Sequence, residues 1–191
     1  QLARPTRTFA ISSALHTATP EGLQQANVKG TDAPTLLIDD FSSDWRDWYR
    51  LSADNPHHWQ SWTRKISDPK WQGKPGYALA LDVRCEQSNA LVVVLTENFF
   101  RSYRGKQRDY AAVVKLTGGD GWQPMRLKPS DFKAAEGDGL LKSWQHLDLL
   151  GLRAYYVSRR TKVTLGSTQW SGEKPSFRNL RWVSTSESES K

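Results

Sequence analysis

Residues 77–116 read YALALDVRCEQSNALVVVLTENFFRSYRGKQRDYAAVVKL, and this stretch decides the fold. It contains three strand-like runs. Tyr77–Arg84 is rich in aliphatic residues, Ala90–Glu97 carries Val92, Val93 and Val94 in succession, and Arg108–Leu116 places Tyr110, Ala112, Val114 and Leu116 on one face. β-Branched runs of this length, bounded by polar turns, predict strands. Between the second and third runs lies a loop, Asn98–Arg108, with three aromatics, three arginines and a lysine. Flat apolar rings beside fixed positive charge predict a recognition surface, because loops on a rigid sheet are where binding groups concentrate. Phe99 is expected to plug the end of the sheet.

Outward from this stretch, the chain continues to alternate short apolar runs with turns. Thr35–Phe41 (TLLIDDF) reads as a strand ending in two carboxylates, and Trp45, Trp48 and Tyr49 follow closely, with Trp45 and Trp48 on one face if that turn is helical. His57–Ile66 (HHWQSWTRKI) reads as a strand with Trp59, Ser61 and Thr63 on one face and His58, Gln60, Trp62 and Arg64 on the other. The second set, mixed polar and aromatic, suits sugar. Downstream, Trp122–Leu127, His146–Tyr156 and Phe177–Val183 read as strands, and Leu140–Trp144 as a short helical turn. Phe177, Asn179 and Arg181 are expected to alternate against Arg178, Leu180 and Trp182. About eight strands, frequent turns and no long amphipathic helix predict an all-β antiparallel β-sandwich. Residues 1–34 read as a linker or N-terminal extension with a short strand at Phe9–Ile11, 35–183 as the sandwich, and 184–191 as a polar tail expected to be disordered.

Composition narrows the function. A chain of 191 residues can bury one core. Its nine tryptophans are many for that length, so a few are expected at the surface for binding. Net charge is +7 with a pI near 9.6, which favours an anionic partner. No block of five Lys/Arg and no aromatic strand motif of an RNA-binding domain is present, which argues against nucleic acid. The single cysteine, Cys85, rules out an intrachain disulfide and reads as a small buried hydrophobe. No C-x-x-C or H-x-x-x-H pairing offers a zinc site. No run approaches the ~20 apolar residues of a membrane helix. The chain opens on Gln1 rather than methionine, which fits an expectation that a leader or upstream domain was removed.

The order of elements carries a resemblance. A strand ending Ile38-Asp39-Asp40-Phe41 precedes a tryptophan-bearing strand, then come WQPMRLKPSDFK (122–133), HLDLLGLRAY (146–155) and FRNLRWV (177–183). Over residues 35–183 this resembles the galactose-binding-like jelly roll of carbohydrate-binding modules, family 11 and its relatives in particular. The resemblance implies a secreted, non-catalytic module that holds a covalently linked polysaccharide-degrading enzyme on its polysaccharide. It also implies a structural calcium near the end of the first strand, with Asp39 or Asp40 as ligand. On the last strand Asn179 is the corresponding position, but Arg178-Asn179-Leu180 stands where relatives carry Asp-Asn-Ile, so a carboxylate is missing. Calcium wants six to eight oxygens.

Sugar rings stack their C–H faces on aromatic side chains, and their hydroxyls need paired donors and acceptors. The loop supplies Tyr103 for stacking and Arg101 and Arg104 for anions, with Lys106 and Arg108 beside them; Glu97 and Asn98 are hydroxyl partners at its root. Trp62, Trp71 and Trp170 are further stacking candidates. Basicity tilts the ligand toward a sulfated or uronic polysaccharide, with a neutral glycan close behind. The alternatives are a jelly-roll polysaccharide lyase or glycoside hydrolase, for which no spacing singles out a pair of carboxylates, and a protein- or nucleic-acid-binding sandwich.

Overall fold

The computed structural model describes residues 35–43, 45–51 and 57–185. The expected N-terminal extension with its strand at Phe9–Ile11, and the tail beyond Thr185, lie outside the described residues.

Among the described residues the strands are β1 (Thr35–Asp39), β2 (Trp48–Leu51), β3 (Gln60–Thr63), β4 (Tyr77–Arg84), β5 (Asn89–Glu97), β6 (Arg108–Leu116), β7 (Gln123–Leu127), β8 (Lys133–Ala134), β9 (Leu147–Arg153), β10 (Tyr155–Val157), β11 (Thr164–Gly166) and β12 (Ser176–Ser184). They form a four-stranded sheet in the order β1-β12-β4-β7 and a six-stranded sheet in the order β2-β3-β9-β5-β6-β8, with β10 and β11 as a separate hairpin. Every pairing is antiparallel. This is the expected all-β jelly-roll sandwich. No helix among the described residues is long and apolar enough to cross a membrane.

Alternation sets the core. Leu79, Leu81 and Val83 of β4 meet Leu91, Val93 and Leu95 of β5, Leu150 and Leu152 of β9, and Trp182 of β12 in one buried cluster. On β6, Tyr110, Ala112 and Leu116 are core, and the exposed Val113 faces away. Cys85 is buried in the same cluster. The two faces expected for residues 58–64 are correct for the strand itself: Ser61 and Thr63 are buried, and Gln60 and Trp62 face outward. The strand is shorter than expected because Lys65–Ser67 turns into one turn of 3-10 helix and buries Ile66.

Four expectations change. Trp45 takes a left-handed turn (φ 61°) instead of a helical one, and Trp48 starts β2, their rings meeting edge to face at 5.2 Å. Leu140–Trp144 is not helical; Leu141 and Trp144 simply drop into the core. The strand expected over 146–156 breaks at Ala154, where the chain leaves the six-stranded sheet and folds back over it as β10–β11. Gly166 (φ 86°) permits this close return, since a Cβ there would collide with Val92 Cγ2. Finally, β12 does not alternate throughout. Its register against β4 slips between Arg178 and Arg181, where Asn179 sits at φ 55°. Asparagine tolerates that left-handed conformation, and such a bulge lets Arg178 and Asn179 both reach Asp82 while Leu180 and Trp182 stay in the core.

Candidate functional site

One ladder row crosses the entire outer face of the six-stranded sheet: Tyr49, Trp62, Gly151, Val94, Ala111 and Lys133 stand opposite one another in turn. At the open end of this row Tyr49 and Trp62 stack, with ring centroids 4.3 Å apart and planes inclined by 21°. Tyr49 is half exposed and Trp62 partly buried. Toward the middle, Gly151 carries no side chain, and the Arg153 side chain occupies that space: a Cβ on Gly151 would lie 3.1 Å from Arg153 Nε. At the far end the β10–β11 hairpin roofs β5 and β6, packing Tyr156 and Leu165 on Val92, Val94 and Ala111. The outer face therefore has a stacked aromatic pair, the platform, at one side and a wall at the other.

A polar group sits between them. Thr96 Oγ1 donates to Asp109 Oδ1 at 2.7 Å, and Tyr156 Oη donates to Asp109 Oδ2 at 2.8 Å. Burial, reinforced by the Asp109 carboxylate, pushes the Tyr156 hydroxyl well above the usual tyrosine range, so it stays a donor. The Arg153 guanidinium lies 5.5 Å from the Tyr156 ring. Burial pulls its pKa down and Asp109 opposes that pull. Its Nε is buried with no hydrogen-bond partner among the described residues. Unfilled buried donors of this kind are rare in a folded protein. Sequence reasoning singled out neither Arg153 nor Tyr156. One signal was present: an arginine within an apolar strand, two residues after a glycine.

The expected loop borders this platform. Arg64, next after β3, lays its guanidinium over the Phe100 ring at 4.0 Å. Phe99 and Phe100 are both 42% exposed, so Phe99 does not plug the core. Residues 98–107 enclose an open hollow of about 590 Å³. Tyr103 is 78% exposed at its rim, and Arg104 reaches His146 Nδ1 at 3.4 Å. Arg101 is tied down, donating to the Ser67 carbonyl at 2.9 Å and lying 3.6 Å from the buried Asp148, so it holds the loop in place. Glu97 accepts the Tyr110 hydroxyl at 3.3 Å, and Asn98 donates to the Lys106 carbonyl at 3.4 Å.

Of the three expected stacking tryptophans, only Trp62 lies on the platform. Trp71 is partly buried against the core, its carbonyl accepting from Trp182 Nε1. Trp170 is fully buried, meets Trp59 edge to face at 5.0 Å and donates Nε1 to the Glu173 carbonyl, so no sugar reaches it. Its flanks are polar, but the ring itself turns inward and fills the sandwich.

The end of β1 holds a cation of its own. Lys65 Nζ lies 2.9 Å from Asp39 Oδ2, 3.1 Å from Asp47 Oδ2 and 3.3 Å from the Ile38 carbonyl. Asp39 also accepts from Trp48 Nε1 and from the Phe41 amide. Asp40, the expected calcium ligand, is exposed, and hydrogen bonds from the Ser42 amide and hydroxyl hold its carboxyl below the usual range. Asn179 gives its amide to Asp82 at 3.0 Å. Among the described residues no group of three or more His, Cys, Asp or Glu is placed to hold a metal. The donor set at β1 thus fits an ammonium, and a calcium ion would have to displace it.

No family model matches the sequence, and no curated protein does either. Solved structures do share the fold. A family 11 carbohydrate-binding module from Clostridium thermocellum, in complex with a beta-1,3-1,4-mixed-linked tetrasaccharide, superimposes with a TM-score of 0.50 at 9% identity, over 81% of this chain and 98% of that one. A family 11 module of a cellulosomal cellulase from the same organism gives 0.49 at 10% identity, over 81% and 96%. An agarase gives 0.47 at 11% identity, over 78% of this chain and 24% of the enzyme. In fold, the chain is similar to the family 11 carbohydrate-binding modules.

Proposed function

We propose that this chain is a non-catalytic carbohydrate-binding module that seats a polysaccharide on the outer face of its six-stranded sheet. The observation that carries this reading is the stacked Tyr49–Trp62 pair on the outer face, with Tyr49 half exposed and Arg153 in the neighbouring row of the same face. The rings take the apolar face of a sugar, Gln60 on β3 and Arg64 just after it flank them for hydroxyls, and Arg153 takes an oxygen of higher charge, such as a uronate carboxylate or a sulfate. The shared fold with a module crystallised with a tetrasaccharide supports the reading. In its natural setting the module works outside the cell, joined to a polysaccharide-degrading domain that it holds on substrate.

Catalysis is a poorer use of these residues. A hydrolase needs two carboxylates free to act across a sugar, and both oxygens of Asp109 are already bonded. A lyase needs a base, and Tyr156 is held protonated.

Affinity electrophoresis through gels holding a mixed-linked β-glucan or alginate, at low and high salt, tests this. Reducing ends and unsaturated products are assayed in the same samples. Retardation without product is the expected result, and for alginate a part that survives high salt, because a buried guanidinium is poorly screened. Arg153→Met should abolish that surviving part and leave glucan binding. Release of sugar would make the chain an enzyme.

A further inference from the structure

The opposite side of the sandwich carries charge that the platform does not use. Facing outward from the four-stranded sheet are four arginines, Arg84, Arg126, Arg178 and Arg181, and one carboxylate, Asp82. Asp82 is buried and organises the group: Arg178 Nε lies 3.2 Å and Asn179 Nδ2 3.0 Å from Oδ2, and Arg181 Nη1 lies 3.4 Å from Oδ1. The β12 bulge is what brings three donors to this one acid.

Trp122 orders the rest. The Arg178 guanidinium lies 4.2 Å and that of Arg84 5.1 Å from its ring. Contact with the ring restrains both guanidiniums, and a restrained guanidinium suits the fork recognition of sulfate or carboxylate. Arg84 and Arg126 have no salt-bridge partner among the described residues. In the next row Arg181, Ala80 and Arg126 are neighbours across three strands. Adjacent strands lie about 4.8 Å apart, so the backbones at the two arginines stand roughly 10 Å apart, with the buried Ala80 between them. Arginines at this spacing can meet successive anionic groups of an extended polyanion.

We infer that the outer face of the four-stranded sheet is a second binding site, for the sulfate or carboxylate groups of an anionic polysaccharide. The choice of polysaccharide over other polyanions rests on the function proposed above. Because Arg84, Arg126 and Arg178 are exposed, binding here is salt-sensitive, unlike binding at Arg153.

The test uses the Trp62→Ala background, which disables the aromatic platform, and the charge reversals Arg84→Glu and Arg126→Glu, neither of which breaks an ion pair. Retardation is measured in κ-carrageenan gels, and anisotropy with labelled duplex DNA of equal charge. The expected result is carrageenan binding by Trp62→Ala alone, weakened at least tenfold by the two reversals and lost at high salt. The same reversals made in the wild-type chain should leave binding to the neutral glucan unchanged. Carrageenan affinity within twofold of the parent after both reversals would overturn the second site. DNA bound more tightly than carrageenan, and released by the same reversals, would overturn its assignment to a polysaccharide. Should the wild-type chain bind no glucan or alginate while the arginine-dependent carrageenan binding persists, the platform reading fails and the second site stands.

Discussion

Trp62→Ala is expected to cost the module about thirtyfold in affinity for its polysaccharide, close to 2 kcal/mol, the usual toll for a tryptophan at the centre of a binding surface. The loss has two sources. The ring itself is gone, and Tyr49, stacked on it at 4.3 Å, loses the neighbour that fixes its ring. Cross-strand aromatic pairs of this kind also add roughly 1 kcal/mol to sheet stability, so a modest fall in melting temperature accompanies the change. Trp62→Phe separates the two effects: it keeps a ring against Tyr49 and should recover most of the affinity. Isothermal titration with a soluble glucan reads both variants. An affinity for Trp62→Ala within twofold of the wild type would remove the platform from the site and return attention to the hollow around Tyr103.

Lys65→Met should be the most destabilising exchange of a single charged side chain in the sandwich. The ammonium has three oxygen neighbours, and its side chain is 16% exposed against 5% for Asp39. Removing one member of a buried pair strands the other, at about 3 kcal/mol. For a domain of this size that is a fall of roughly 6–12 °C in melting temperature. The alkaline limb gives a second signature. Desolvation lowers the Lys65 pKa, but the bonds to Asp39 and Asp47 outweigh it and the net shift is upward. A pKa raised in the folded state means that the stabilisation is complete below the unfolded value of about 10.4 and is lost as pH rises through the folded one. Wild type and Lys65→Met should therefore differ at neutral pH and converge only in strongly alkaline solution. Calorimetry with and without EDTA distinguishes the two cations: an unchanged wild-type melting temperature assigns the site to lysine, and a chelator-dependent fall assigns it to calcium.

Most of the sandwich was legible because a strand announces its faces with period two. Val93 and Leu95 against Val92 and Val94, or Ser61 and Thr63 against Gln60 and Trp62, can be sorted from the sequence alone. What the period does not carry is which strands become neighbours. Tyr49 and Trp62 are near in sequence, but Gly151 joins their row from almost ninety residues on, and Asp109 meets Tyr156 across a separation of 47. Those meetings depend on the pairing of β3, β9, β5 and β6, and local pattern says nothing of it. The same limit explains Trp170, whose polar flanks read as a loop although the ring is core. It also explains Asn179, where one residue in a left-handed conformation shifts the alternation of β12 and gathers Arg178, Asn179 and Arg181 on a single acid.

The placement of the indoles governs what light can report about this molecule. Five of the nine, Trp48, Trp59, Trp144, Trp170 and Trp182, are sealed inside the sandwich. Their emission follows the integrity of the fold and ignores what lies on its surface. At the two proposed sites a bound sugar would cover Trp62, and an anion on the opposite side would disturb Trp122. Each of those signals is a small fraction of a large constant background, so intrinsic fluorescence is a sensitive gauge of unfolding here and a dim one of ligand.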